Sequence, residues 1–376
     1  MATVVPFVPP PYPYERLDAL KQLADGLPGG VVDCSIGTPC DPVPDVVAAA
    51  AADAAKRSMG YPPSAGTAAL HEAAAAWMAR RTGVEVEPAH IGACIGTKEM
   101  VVSLPHYLGL RRPDLDTVLY PAVAYPSYEM GATLAGKRAV PVPLDRDWHL
   151  DLDAIDADDA HRALLLWINE PGNPSSSVAD AAYLGRVAEW GRAHSVVVAS
   201  DECYVEFAPE RTTILGAGLD GVLAVHSLSK RSNLAGMRVG FYAGDTALVE
   251  YLVETRKHAG FMVPTPAQAA AVAALGDDAH VEVQRKRYED RRELVLERLE
   301  AVGLRHAGGP MLFYLWLCDD AGTDGWTIAD RLARAGLLVS PGDFYGDAGA
   351  PYARLALVQT RERLDPALDR LEKEPT

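Results

Sequence analysis

A chain of 376 residues, 49% hydrophobic and 23% charged, is long enough for about two domains and a substantial core, and it reads as an ordinary soluble globular protein. A formal net charge of -16 and an isoelectric point near 5.0 leave no general attraction to polyanions, so nucleic acid is not expected as a partner. No apolar run approaches the length of a membrane span, and the N-terminal stretch MATVVPFVPPPYPYERL lacks the basic segment and long apolar run of a secretory leader.

In chain order, that stretch reads as an extended proline-rich arm docked on the rest of the protein. The alanine runs AAAAADAA and HEAAAAWMARR have helical spacing and read as packed or solvated helices. CIGTKEM places Gly96, Thr97 and Lys98 in a loop entering a helix, where free backbone N–H groups and a hydroxyl can hold a phosphate; the same residues would also open an unremarkable helix. DTVLY, RALLLWIN, SVVVAS and GVLAVHS are short apolar strands separated by helical segments such as Val178 to His194. This βαβ alternation predicts an α/β fold with a mainly parallel sheet covered by helices. The last third differs. A charged helix from about Asp278 to Val302, the strand MLFYLWL, a helix near Thr327 to Ala335, the strand YARLALV and a final helix predict a smaller α+β unit. The expected division is an arm with part of the small domain over 1–40, a large domain over 41–275 and a small domain over 276–376. The five cysteines are scattered, with no zinc spacing, which points to reduced thiols, no metal and a cytoplasmic location.

Sites in such sheets lie at the carboxyl ends of the strands. RALLLWIN is followed by EPGNPS, SVVVAS by DECY and GVLAVHS by LSK, so Asn169, Asn173, Asp201, Tyr204 and Lys230 are expected to face one crevice. A lysine in a desolvated pocket can form a Schiff base with a carbonyl cofactor. Ser227, Ser229 and Arg238 would flank a phosphate, with the arginine as a charge-assisted fork. Asp201 would pair with a ring nitrogen, Tyr204 and Asn173 would hydrogen-bond a phenolic oxygen, and Tyr125 would stack on the ring. Together these groups suit pyridoxal 5′-phosphate. Taken singly, Asp201 equally suits a helix N-cap, while Tyr204 and Tyr125 suit core packing.

The set GTKE, AYPSY, NEPGNPSS, SDECY, SLSKRSNLAGMRVGF and YARLAL resembles the fold-type I, class I/II aminotransferases over essentially the whole chain. VDCSIGTPCDPVPDVV, GYPPSAGTAALHEAAAAW, RKHAGFMVP, DDAHVEVQRKRY and SPGDFYG resemble, more narrowly, the actinobacterial N-succinyldiaminopimelate aminotransferases. The resemblance implies that Lys230 carries the cofactor and shuttles the proton, and that Asp201 holds the ring nitrogen. Gly96, Thr97, Lys98, Ser227 and Arg238 would form the phosphate cup, and Arg354, with Gly37 and Asn173, would grip the substrate α-carboxylate. It further implies a homodimer in which Tyr61 reaches the neighbouring subunit's phosphate. Read alone, Arg354 could be an edge-strand charge and Tyr61 a turn aromatic.

Three positions depart from the family pattern: Asn173-Pro174-Ser175-Ser176 lacks the usual glycine of its turn, Arg231 adds a bulky cation after the lysine, and Glu170 precedes the turn proline. The leading function is transamination between glutamate and a keto acid with an acylated or acidic side chain. The alternative is elimination, replacement or cyclisation on the same cofactor, for instance with an S-adenosylmethionine-like substrate. A regulator with an aminotransferase-like sensor domain would need a DNA-binding unit for which there is neither spare length nor a basic patch.

Overall fold

A computed structural model of the protein describes residues 7–57 and 60–373, so the first six residues of the expected arm lie outside it. The strands in chain order are β1 (Val32–Asp33), β2 (Ile91–Cys94), β3 (Thr117–Pro121), β4 (Arg138–Val142), β5 (Ala163–Asn169), β6 (Val197–Asp201) and β7 (Val222–Ser227), then β8 (Gly240–Gly244), β9 (Leu304–His306), β10 (Tyr314–Asp319), β11 (Leu337–Leu338), β12 (Ser340–Pro341) and β13 (Ala353–Ala356). Seven of them form the principal sheet in the order β2-β8-β7-β6-β5-β3-β4.

Every residue of β5 and of β7 is buried, as continuous apolar strands covered on both faces should be. The pairs β3–β4, β3–β5, β5–β6 and β6–β7 run parallel. Only β8 opposes both of its neighbours. The reason lies in its connection: β7 leads through the one-turn helix Leu228–Arg231 and the turn Ala235–Met237 straight into β8, without the crossover a parallel return needs. The helix expected over 178–194 starts at Ala181, because Asp180 caps it by accepting from the Tyr183 N–H at 2.7 Å.

A second, antiparallel sheet has the order β12-β13-β10-β9, and β1 pairs in parallel with β11. The strand expected from Met311 starts only at Tyr314. The backbone N–H groups of Met311 and Leu312 donate instead to Ser176 and Phe207, at 3.1 Å each, and tie the second sheet to the large one. Its core joins Val32 and Cys34 to Leu315, Leu355, Ile328 and Leu368, while the principal sheet packs its own clusters. Among the described residues no helix is long and apolar enough to cross a membrane, and no cluster of side chains could hold a metal.

Candidate active site

Asn169, Asp201 and Ser227, the last residues of β5, β6 and β7, line one cavity of about 440 Å³. Lys230 enters it from the one-turn helix that follows β7, where the Ser227 hydroxyl caps the turn by accepting from the Ser229 N–H at 3.1 Å. Its amine donates to the Gly37 carbonyl and lies 5.7 Å from the centroid of the Phe313 ring. Burial lowers the ammonium to about 8, with Arg354 and Arg238 adding repulsion and Cys203 opposing them. Arg231, one residue on, points the other way. Its guanidinium is buried against Glu206, with Nε 3.3 Å from Oε1, and lies 5.7 Å from the Trp77 ring, so the expected extra cation does not reach the cavity.

Asp201 is buried at the cavity floor. Its Oδ2 accepts from the Tyr128 hydroxyl at 3.0 Å and its Oδ1 from the Cys203 N–H at 3.2 Å; burial nevertheless raises its carboxyl above the ordinary value. Asn169 fixes the neighbouring backbone. It donates to the Asp201 carbonyl at 2.8 Å and accepts from the Asn173 N–H at 2.8 Å. Tyr125 and Tyr204 line the cavity, and the Tyr204 hydroxyl shares a 2.8 Å hydrogen bond with that of Tyr314.

At the end expected to take a phosphate stand the first turn of the helix Thr97–Arg111, Ser227, Ser229 and Arg238. Gly96, just behind, has φ 72°, and a Cβ there would run into the Arg238 guanidinium. Thr97 accepts from the Cys203 thiol at 3.1 Å. Lys98 is oriented differently: its amine faces the rings of Tyr12 and Tyr125, at 5.2 and 5.7 Å from their centroids.

At the opposite end Arg354, on the central strand β13, is buried. Its Nη1 donates to Asn173 Oδ1 at 2.8 Å, and its Nη2 to the Ser35 carbonyl and, at 3.3 Å, to the Tyr14 hydroxyl. Tyr314 and Tyr345 flank the guanidinium at 4.3 and 4.9 Å. Gly37 is packed so closely that a Cβ would run into the Tyr314 hydroxyl. Tyr61 alone among the expected residues stands apart, 95% exposed.

Of the other two departures, neither Glu170 nor Ser176 lines the cavity. Glu170 bonds His149 Nδ1 at 2.8 Å and accepts from the Ala179 N–H at 3.1 Å. Ser176 adopts φ 61°, the conformation that favours glycine, while its hydroxyl donates to the Tyr314 carbonyl at 2.8 Å.

Among the described residues no cation pairs with Asp201, and no carboxylate pairs with Lys230, Arg238 or Arg354. Such groups fit a ligand that brings a protonated ring nitrogen, a phosphate and a carboxylate. Pyridoxal 5′-phosphate carries the first two and an amino-acid substrate the third. Sequence reasoning missed Tyr12, Tyr14, Tyr128 and Tyr314; PPPYPY and AYPSY held three of them in view, but nothing local told a site tyrosine from a packing one.

Residues 30–371 match the family described as aminotransferase class I and II. The chain is 43% identical to the 4-dedimethylamino-4-oxo-anhydrotetracycline transaminase OxyQ of Streptomyces rimosus, over 96% of this chain and 99% of that protein. It is 36% identical to the LL-diaminopimelate aminotransferase of Desulforudis audaxviator, over 96% and 95% of the two chains. Among solved structures it resembles a probable N-succinyldiaminopimelate aminotransferase from Thermus thermophilus, with 31% identity, a TM-score of 0.86 and coverage of 96% and 99%.

Proposed function

Because this chain belongs to the class I and II aminotransferase family and is a transferase, we propose that Lys230 carries pyridoxal 5′-phosphate and that the enzyme moves an amino group from glutamate to a keto acid with an acylated or acidic side chain, N-succinyldiaminopimelate aminotransferase fashion. One observation carries this reading: an amine lowered to about 8 faces the same cavity as a buried carboxylate with no protein counter-ion. The relatives are named as transaminases acting on a tetracycline intermediate and on diaminopimelates, which supports transamination and lends nothing to elimination.

When bound, the cofactor supplies an electron sink for charge developing at the substrate α-carbon. Every other part of the proposal falls to the protein. Asp201, whose ionised form Tyr128 and Cys203 favour against burial, would hold the proton on the ring nitrogen. Tyr204 and Asn173 hydrogen-bond the phenolic oxygen, and Tyr125 covers the ring face. Gly96, Thr97, Lys98, Ser227, Ser229 and Arg238 receive the phosphate. With its ammonium lowered to about 8, Lys230 would be partly a free base near neutral pH and is the group that would take up the α-proton and hand it back. Arg354, Asn173 and Gly37 orient the α-carboxylate. We further assign a cytoplasmic homodimer in which the exposed Tyr61 contacts the second subunit's phosphate, and a division into arm (1–40), large (41–275) and small (276–376) domains, supported by the β1–β11 pairing and by a core of the second sheet made mostly of residues from the arm and the last third.

The test is the visible absorbance of the purified, cofactor-loaded enzyme before and after excess glutamate. Loss of the visible band with formation of 2-oxoglutarate is expected. A band indifferent to glutamate would overturn the donor, and no band after reconstitution would overturn the cofactor.

A further inference from the structure

Arg354 presents an unresolved electrostatic demand. Its guanidinium is only 2% exposed, its faces are covered by Tyr314 and Tyr345, and its hydrogen bonds go to neutral oxygens of Asn173, Ser35 and Tyr14, while Nε has no partner. A buried cation without an anion is costly, so the missing negative charge must come from a ligand. Of the three oxygen partners, the Ser35 carbonyl can only accept. The Asn173 amide offers this arginine its oxygen. The Asn173 Nδ2 can still donate to a ligand, and Tyr14 adds a hydroxyl that both accepts and donates and lines the same cavity as Arg354.

Resting on the reading that Arg354 receives the α-carboxylate, we propose that the Tyr14 hydroxyl is a second binding group for that carboxylate, donating to one oxygen while Arg354 holds the other. The local packing prepares it for this. The Tyr14 ring meets Phe344 edge-on at 5.6 Å and Tyr12 at 5.4 Å, and its oxygen lies 3.2 Å from that of Tyr345, which can accept or donate as Tyr14 turns its proton to the ligand. Burial alone would raise the Tyr14 phenol, yet Arg354 and the bonds from Tyr345 and Ser340 hold it below its ordinary value, marking a strongly polarised O–H. Tyr14 belongs to the turn Pro13–Leu17 at the end of the proline-rich arm. Docking of any α-amino or α-keto acid would therefore tie the arm to the cavity, whatever the side chain.

The test compares Tyr14→Phe, Tyr14→Ala and Arg354→Lys in the holoenzyme, by single-turnover decay of the visible band with the fastest-reacting of the twenty common L-amino acids. Tyr14→Phe keeps the ring contacts and removes only the oxygen. It is expected to raise the half-saturating concentration about 10-fold, a loss typical of one hydrogen bond to a charged group, with the limiting rate within about twofold. In the Arg354→Lys background the same change should cost much less, because both act on one carboxylate. A Tyr14→Phe enzyme like the wild type, with loss confined to Tyr14→Ala, would make Tyr14 a packing residue and overturn the inference. If Arg354→Lys itself is silent, the carboxylate reading of Arg354 fails, and this inference with it.

Discussion

Removing the Tyr128 hydroxyl should shift the acid limb of the activity profile. Asp201 is fully buried and has two donors, the Tyr128 O–H at 3.0 Å and the Cys203 N–H at 3.2 Å. A hydrogen bond to a charged group contributes about 1.5–3 kcal/mol, and one pKa unit is about 1.36 kcal/mol, so its loss should move Asp201 upward by about 1–2 units. Burial already raises this carboxyl, so the change adds to a shift in the same direction and the protonated form spreads further toward neutral pH. On the proposed reading, a protonated Asp201 could not hold a positive ring nitrogen. We expect Tyr128→Phe to displace the acid limb of kcat/KM upward by about 1–2 units, so that on the acid side of that limb kcat/KM falls about 10- to 100-fold. The ring should stay in place through its contact with Trp167, 5.2 Å between centroids. The assay is kcat/KM against pH for both enzymes. An acid limb at the same pH would refute the claim that Tyr128 keeps Asp201 ionised.

Three further outcomes follow from the same geometry. Burial lowers Lys230 from 10.5 to about 8, so between those pH values the unfolded chain binds more protons and stability rises with pH, the full penalty being present below pH 8. Lys230→Met should raise the melting temperature of the cofactor-free protein at pH 7 and leave it nearly unchanged near pH 11; equal melts at pH 7 would contradict the burial argument. Glu206 is held at about 2 although burial opposes it, because Arg231 and Arg81 pair with it and Trp77 donates to it. Glu206→Gln should therefore destabilise by about 3–5 kcal/mol in chemical denaturation, and the wild type should lose this contribution as pH falls from 4.5 toward 2. At Ser176 two effects oppose: glycine would relieve the left-handed backbone by about 1 kcal/mol while losing a hydrogen bond of about 0.5–1.5 kcal/mol. Ser176→Gly should change stability by less than about 1 kcal/mol, and a larger loss would show that the hydroxyl secures this turn.

The principal sheet was legible because β5 and β7 are unbroken apolar runs, and the residues after them were legible as a crevice because parallel strands deliver their ends to one side. What stayed hidden depends on direction and distance. Arg231 adjoins Lys230 in sequence, but on a helical turn adjacent side chains diverge, and its partner Glu206 lies on another element. Glu170 finds His149 across the fold, so a departure that looked chemical serves packing. Tyr14 meets Arg354 across nearly the whole chain, and no local pattern encodes such a pairing. The antiparallel β8 could have been read from the absence of a helix long enough for a crossover between Ser227 and Gly240.

The uncompensated buried charges of Asp201 and Arg354 also concern the lifetime of the protein in a cell. A fold that buries charged groups without counter-ions is held back by them until a ligand neutralises them, so its abundance should follow the supply of that ligand. Occupancy at 100 times the dissociation constant adds about 2.7 kcal/mol, a large fraction of a typical folding free energy. Scarcity of that ligand would then thin the enzyme population through proteolysis as well as idle it, since degradation tracks the unfolded fraction.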